Sequence, residues 1–207
     1  TSMIIMLSMV GPALLIPLYV QNALGLSALL SGLVIMPGAI INGIMSVFTG
    51  KFYDKYGPRP LIFTGFILLI SCTFLLCFLK VDTSYTYLIV IYAIRMFAVS
   101  LLMMPINTTG INALKTEDIS HGTAIMNFGR VMAGSLGTAL MVTFMSIGAQ
   151  WVVSSSEHAS KEMIQRQSVA VGVDVSFALV TVFVIIAFVL ALFIKEPNHL
   201  THNSRKV

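Results

Sequence analysis

Charge is what this chain has least of. Only 10% of its 207 residues are Asp, Glu, Lys or Arg, against about a quarter in ordinary soluble domains. A large soluble core does not account for the deficit, because a chain this short still has abundant surface to cover with polar groups. Cysteine is nearly missing as well. Cys72 and Cys77 lie in one apolar segment and point to different sides of a helix, which excludes a disulfide framework, and no Cys/His spacing suits a metal. There is no His-Glu-x-x-His, no Gly-x-Ser-x-Gly, no Gly-rich phosphate loop and no Cys/His pairing, so the chain carries no enzymatic signature. His121, His158, His199 and His202 all fall in polar breaks or the tail.

The net charge is +4, yet the basic residues are scattered singly between apolar stretches. No stripe exists to follow a phosphate backbone, and nucleic acid is excluded as a partner. The chain opens Thr1-Ser2-Met3-Ile4 with no charged n-region and no small-residue cleavage site. That is no signal peptide; an opening inside a hydrophobic run is expected of a segment of a longer polypeptide.

What is present is grease. Hydrophobic residues make up 57% of the chain and mean hydropathy is +0.94, which makes lipid the solvent that accepts this surface. Six apolar stretches, at 1–20, 28–50, 61–79, 85–106, 122–147 and 175–194, each approach the ~20 residues that a membrane-spanning helix needs. Continuous runs such as Ile67-Leu68-Leu69-Ile70 exclude barrel strands, which alternate strictly. The fold class is therefore an all-α integral membrane bundle of six spans. Short polar breaks separate them, and one longer loop, 148–174, is expected to carry a short surface helix over Glu157–Ile164.

Lys51, Lys55, Arg59, Lys115, Lys195, Arg205 and Lys206 collect on one side; Lys80, Lys161 and Arg166 collect on the other. The positive-inside rule makes the richer side cytoplasmic, with both ends of the segment and the tail 195–207 on that side and the loop 148–174 outside.

Arg95 is the most demanding residue. It sits about ten residues, roughly 15 Å, from either end of its span, where a charge costs at least ~2.5–3.5 kcal/mol. It must face the bundle interior or a wet cavity. All eight acidic residues fall in breaks or at span ends, so three kinds of partner are open to Arg95: backbone carbonyls, a carboxylate outside this chain, or a substrate. Arg130, nearer the inner face, is open to both a structural and a functional reading. Gly129, Ala133 and Gly137 recur every four residues as a small face for close helix contact. The amides Asn42, Asn107, Asn112 and Asn127 must find protein or water, Asn112 being interfacial. Pro12, Pro17, Pro37 and Pro105 interrupt spans as kinks or as breaks lining a path. Methionines such as Met103, Met104, Met126 and Met132 are open to an adaptable apolar wall or to ordinary packing.

The inner break after the second span reads Gly50-Lys51-Phe52-Tyr53-Asp54-Lys55-Tyr56-Gly57-Pro58-Arg59. Gly57-Pro58 is a turn signal, Pro60 suits the first position of the next helix, and Asp54 is placed to meet the N–H groups of a helix start. As spacing alone it also reads as a solvated basic loop. The pattern Gly50, Asp54, Lys55, Gly57, Arg59 resembles the signature loop of the major facilitator superfamily, with Pro58 standing where a basic residue is common. Arg95 in Ile91–Ser100 resembles that family's helix with a buried Arg, without the usual Gln-Gly. Asn127, Arg130, Gly134 and Gly137 resemble the penultimate helix of fourteen-span drug:proton antiporters of the EmrB/QacA type.

The resemblance covers essentially the whole chain. It implies the C-terminal six-helix half of a proton-driven multidrug exporter in a bacterial cytoplasmic membrane, with no cofactor. An N-terminal half would be its partner, and amphipathic, often cationic compounds its cargo. Asp54 would latch onto a helix end of the partner half, and the path would be lined by Arg95, Arg130, Asn42, Asn107, Asn127, Met103 and Met126. The proton-carrying carboxylate would lie in the other half. An anionic or neutral solute bound by Arg95 and Arg130, or a non-transporting scaffold, stand as the rival readings.

Overall fold

A computed structural model describes residues 2–80, 83–112, 114–155 and 161–192. It consists of α1 (Ser2–Asn22), α2 (Ala28–Tyr56), α3 (Pro58–Leu75, continued by a 3-10 turn Leu76–Phe78), α4 (Tyr85–Asn112), α5 (Ile119–Ser155) and α6 (Lys161–Leu192). All six are long and apolar enough to cross a membrane. They run up and down, and each of the six apolar stretches maps onto one helix. Around the bundle the neighbours follow the order α2, α4, α3, α6, α5, α1, with α1 also reaching α6 and α4.

The core has two floors. At the end holding the α1–α2 and α3–α4 turns, Tyr19, Val34, Leu76, Leu88, Tyr92 and Phe177 close together. At the opposite end, Ile5, Phe66, Val99, Leu102, Met141 and Val184 do the same. Helix α4 is the most enclosed of the six, and α2 and α5 are the least. Broad faces of α2 and α5 are left uncovered, with Leu29, Met36, Ile40, Ile44 and Val47 exposed on α2 and Ile125, Phe128, Val131 and Leu136 exposed on α5.

The structure corrects several sequence expectations. The loop expected at 148–174 is mostly helix: α5 continues to Ser155 and α6 already begins at Lys161. Polarity at a membrane surface does not by itself end a helix, and this stretch contains no proline. The two helices cross there with their backbones in contact. A Cβ added to Gly172 would stand 2.3 Å from the Met145 carbonyl oxygen, and one on Gly148 would stand 2.9 Å from the Gly172 Cα. At 37 and 32 residues, α5 and α6 are about 56 and 48 Å long, well beyond a hydrocarbon core of about 30 Å. Part of the expected surface helix over Glu157–Ile164 is therefore the start of α6. Residues 157–160 and the tail 195–207 lie outside the described residues.

The expected inner break 51–60 contracts to one residue. Gly57 alone separates α2 from α3, at φ +79°, with its N–H bonded to the Tyr53 carbonyl at 2.9 Å. Pro58, and not Pro60, takes the first position of α3. The left-handed φ is open to glycine at no steric cost, and Pro58 loses nothing at a position whose N–H has no intrahelical acceptor. The prolines do not break their helices: α1 runs through Pro12 and Pro17, α2 through Pro37 and α4 through Pro105.

The Gly148–Gly172 crossing gives the first test. Gly172→Val in the purified protein is expected to lose about 1–3 kcal/mol of stability, read as a lowered midpoint in detergent thermal unfolding. Gly43→Ala, whose added Cβ meets nothing within 4 Å, is expected to leave the midpoint in place. Equal effects would remove the close crossing from the account.

Candidate functional site

Arg95 sits on α4 at the seam between the two core floors, between Tyr92 and Met96 on one side and Ala98 and Val99 on the other. Its exposure is 0%. A guanidinium in such a place needs acceptors, and the sequence left three kinds open. The structure selects the first: Arg95 Nη2 donates to the backbone carbonyl of Ser8 on α1. That carbonyl is available for a reason written four residues on. In a helix the Ser8 oxygen would accept from the N–H of residue 12, but residue 12 is proline and has none. Pro12 thus orphans a carbonyl inside the bundle, and Arg95 fills the vacancy from a neighbouring helix. The Ser8 hydroxyl turns back onto the Ile5 carbonyl at 2.8 Å. Arg95 Nε and Nη1 have no hydrogen-bond partner among the described residues.

The expectation that this guanidinium faces inward holds. Within this six-helix bundle the side chain is enclosed on all sides.

Other expected site residues are distributed as follows. Asn42 on α2 donates through Nδ2 to the Met96 carbonyl at 3.3 Å, tying α2 to α4 one residue beyond Arg95. On α4 Asn107 is half-buried, and its enclosed Oδ1 and the hydroxyls of Ser100 and Thr109 find no partner among the described residues. Arg130 turns back along its own helix, donating to Asn127 Oδ1 at 2.6 Å and to the Met126 carbonyl at 3.5 Å. Arg130, Asn127 and Met126 therefore form one group on α5, and Met126 also reaches α4 at Gly110. Met103 packs against the core floor that holds Val99 and Leu102. Arg130 and Arg95 share no hydrogen-bond partner among the described residues.

The glycines of α5 sit against α1. A Cβ on Gly129 would meet Met3, one on Gly134 would meet Val10 and Met6, and one on Gly137 would stand 3.0 Å from the Leu7 Cα. Small side chains there let the two backbones approach. At the turn, Gly50 faces the Met104 side chain, while Asp54, Lys55 and Arg59 are exposed on either side of Gly57.

One functional-looking group escaped the sequence reading. Asp174, expected at the edge of a loop, lies within α6 and accepts the Leu79 N–H at 3.0 Å, fastening α6 to the end of the α3 extension. That contact places it level with the start of the α3–α4 turn. The signal that could have found it is the lack of any Pro or Gly-Pro break between Ser155 and Asp174. No group of three or more metal-ligating side chains occurs among the described residues.

A six-span bundle, a buried arginine tying its first and fourth helices, and a one-residue turn between basic residues define a polytopic α-helical membrane protein. The chain belongs to the Major Facilitator Superfamily, whose model matches residues 1–138. It is 37% identical over 185 residues to lincomycin resistance protein LmrB of Listeria monocytogenes, covering 89% of this chain and 39% of that protein. To LmrB of Bacillus subtilis it is 35% identical over 193 residues, covering 93% of this chain and 40% of that protein. Multidrug export protein EmrB of Escherichia coli is 29% identical over 134 residues, covering 64% of this chain and 26% of that protein. The chain thus spans about two fifths of the length of the LmrB relatives.

A double-mutant cycle tests the Arg95–Ser8–Pro12 arrangement. Pro12→Ala restores an N–H to the Ser8 carbonyl. Arg95→Met is therefore expected to cost about 1 kcal/mol less in the Pro12→Ala background than in the parent, a coupling read from detergent unfolding. Additive effects of the two substitutions would show that the proline and the arginine do not share that carbonyl.

Proposed function

We propose that this chain is the C-terminal half of a secondary active exporter that moves amphipathic drugs out of a bacterial cytoplasmic membrane at the expense of a proton gradient. The observation that carries the reading is the similarity to LmrB along 89% and 93% of the chain, in a bundle whose α2 and α5 keep broad uncovered faces. A six-helix unit with two such faces fits a partner bundle, and alternating access follows if the pair rocks about a cavity at mid-depth.

In this reading the exposed Asp54 at the end of α2 meets a helix start of the partner half, latching the inner side. The cytoplasmic side is the one bearing Lys51, Lys55, Arg59 and Lys115. The cargo class is amphipathic and cationic, with lincosamides the first compounds to try. The faces of α1, α2 and α5 supply the apolar wall. Among the described residues no carboxylate sits at mid-depth, since Asp174 is held at the level of the α3–α4 turn; the proton carrier accordingly belongs to the other half. A solute anion bound by Arg95 and Arg130 is not favoured, because one guanidinium is sealed in the core and the other is engaged along its own helix.

Expression of the natural-length protein in a drug-sensitive bacterium is the test. It is expected to raise resistance to lincomycin and to lower accumulation of a cationic dye, with both effects lost on adding a protonophore. Asp54→Asn is expected to reduce efflux several-fold. Uptake of organic anions dependent on Arg95, or resistance indifferent to the protonophore, would overturn the proposal.

A further inference from the structure

Helix α1 carries a second proline five residues after the first. Pro17 has no N–H, so the Ala13 carbonyl loses its helical donor just as the Ser8 carbonyl does to Pro12. Five residues rotate a helix by about 140° beyond a full turn, and the two carbonyls therefore leave α1 on different sides. Ser8 and Pro12 are buried, and a cationic donor from inside the bundle, Arg95, takes the first carbonyl. Ala13 and Leu14 are exposed and Pro17 is half-buried, so the second opens on the uncovered side of α1. With α1 running from Ser2 to Asn22, Ala13 stands about 17 Å from its start and about 14 Å from its end, a depth at which an unpaired acceptor is costly. The side-chain donors on either side of it along α1 are committed elsewhere. Ser8 donates to the Ile5 carbonyl at 2.8 Å, Tyr19 to the Lys80 carbonyl at 2.5 Å and Gln21 to the Ser31 hydroxyl at 3.0 Å. Prolines inside two other spans free carbonyls of a different kind. Pro105 frees that of Leu101, which lies buried in the bundle. Pro37 frees that of Leu33, only about 8 Å from the start of α2 at Ala28. Among the described residues Ala13 alone sets such a group near mid-depth on an open face.

We infer that the Ala13 carbonyl is this half's acceptor for a protonated amine of the cargo, the amine N–H donating to the oxygen while Leu14 and Pro17 pack against the apolar body. The inference rests on the exporter reading and narrows it. A proline-freed carbonyl in this helix already holds one cation, the Arg95 guanidinium, and the second offers the same chemistry on the exposed side. A carbonyl oxygen has partial negative charge and no proton to give up, so it holds a cationic donor where the helix supplies no carboxylate; hydrogen bonds of that charge-assisted kind are stronger than neutral ones. The consequence is a selectivity that charge alone does not give. An amine with an N–H is preferred over a quaternary ammonium of the same charge and shape.

The test uses the natural-length protein in inverted membrane vesicles, with two probes: an amphipathic tertiary amine, protonated at the working pH, and its N-methylated quaternary analogue. The parent is expected to show the lower KM for the tertiary amine. Pro17→Ala returns an N–H to the Ala13 carbonyl and is expected to raise that KM about tenfold, with the KM of the quaternary compound unmoved. The same substitution also straightens the helix, and an ester at residue 17, installed as lactic acid, separates the two effects. The ester has alanine's side chain and, like proline, no N–H; it is expected to keep the parent's preference. A parent that transports neither compound would remove the exporter reading and the inference with it. Equal handling of the pair by a parent that transports both, a preference that survives Pro17→Ala, or a preference lost equally in the ester would overturn the inference alone. So would loss of both compounds in Pro17→Ala with both kept in the ester, which would place a donor of the partner half on the Ala13 carbonyl.

Discussion

A carbonyl in hydrocarbon has no water to turn to, and the bundle is organised around one such group. Pro12 removes the N–H that would have served the Ser8 oxygen, and the donor comes instead from Arg95 on α4. The same contact answers the converse problem, that of a guanidinium at mid-depth. Each group is costly alone; together they tie α1 to α4 at the seam between the two core floors. The contact holds α1 and α4 in register at the depth of Arg95.

The rest of the packing is consistent with a single tie of this kind. Small residues let α5 approach α1 at Gly134 and Gly137, and α6 approach α5 at Gly172. Asn42 holds α2 to the Met96 carbonyl. Without a hydrophobic force between helices in lipid, close backbone approach and a few buried hydrogen bonds carry the association. Helices α2 and α5 make these contacts along one side and keep broad exposed faces on the other. In the exporter reading those faces belong to a partner bundle, so the same sequence features that leave the half incomplete make it half of something.

Much of this was legible in the sequence. Six spans, the inward Arg95 and the turn at Gly57 follow from hydropathy, from the cost of burying charge and from glycine's left-handed backbone. What was not legible shares one cause. Polarity marks a membrane surface and not a helix end, so 148–174 has a loop's composition although α5 runs on to Ser155, α6 starts at Lys161 and the two stay in contact at Gly148 and Gly172. The stretch Lys51–Pro60 likewise has a loop's composition, although only Gly57 leaves helical geometry. The partner of Arg95 was within reach: proline at residue 12 names the orphaned carbonyl at residue 8. Which helix faces it is a matter of packing, and one sequence does not give that.

The most direct measurement is a solid-state NMR distance in lipid bilayers between the Ser8 carbonyl carbon, 13C-labelled, and the guanidinium nitrogens of Arg95, 15N-labelled. A hydrogen bond places one terminal nitrogen within about 4 Å of that carbon, with guanidinium protons that exchange slowly with water. No measurable coupling, together with rapid proton exchange, would put Arg95 in a water-filled path and contradict the account.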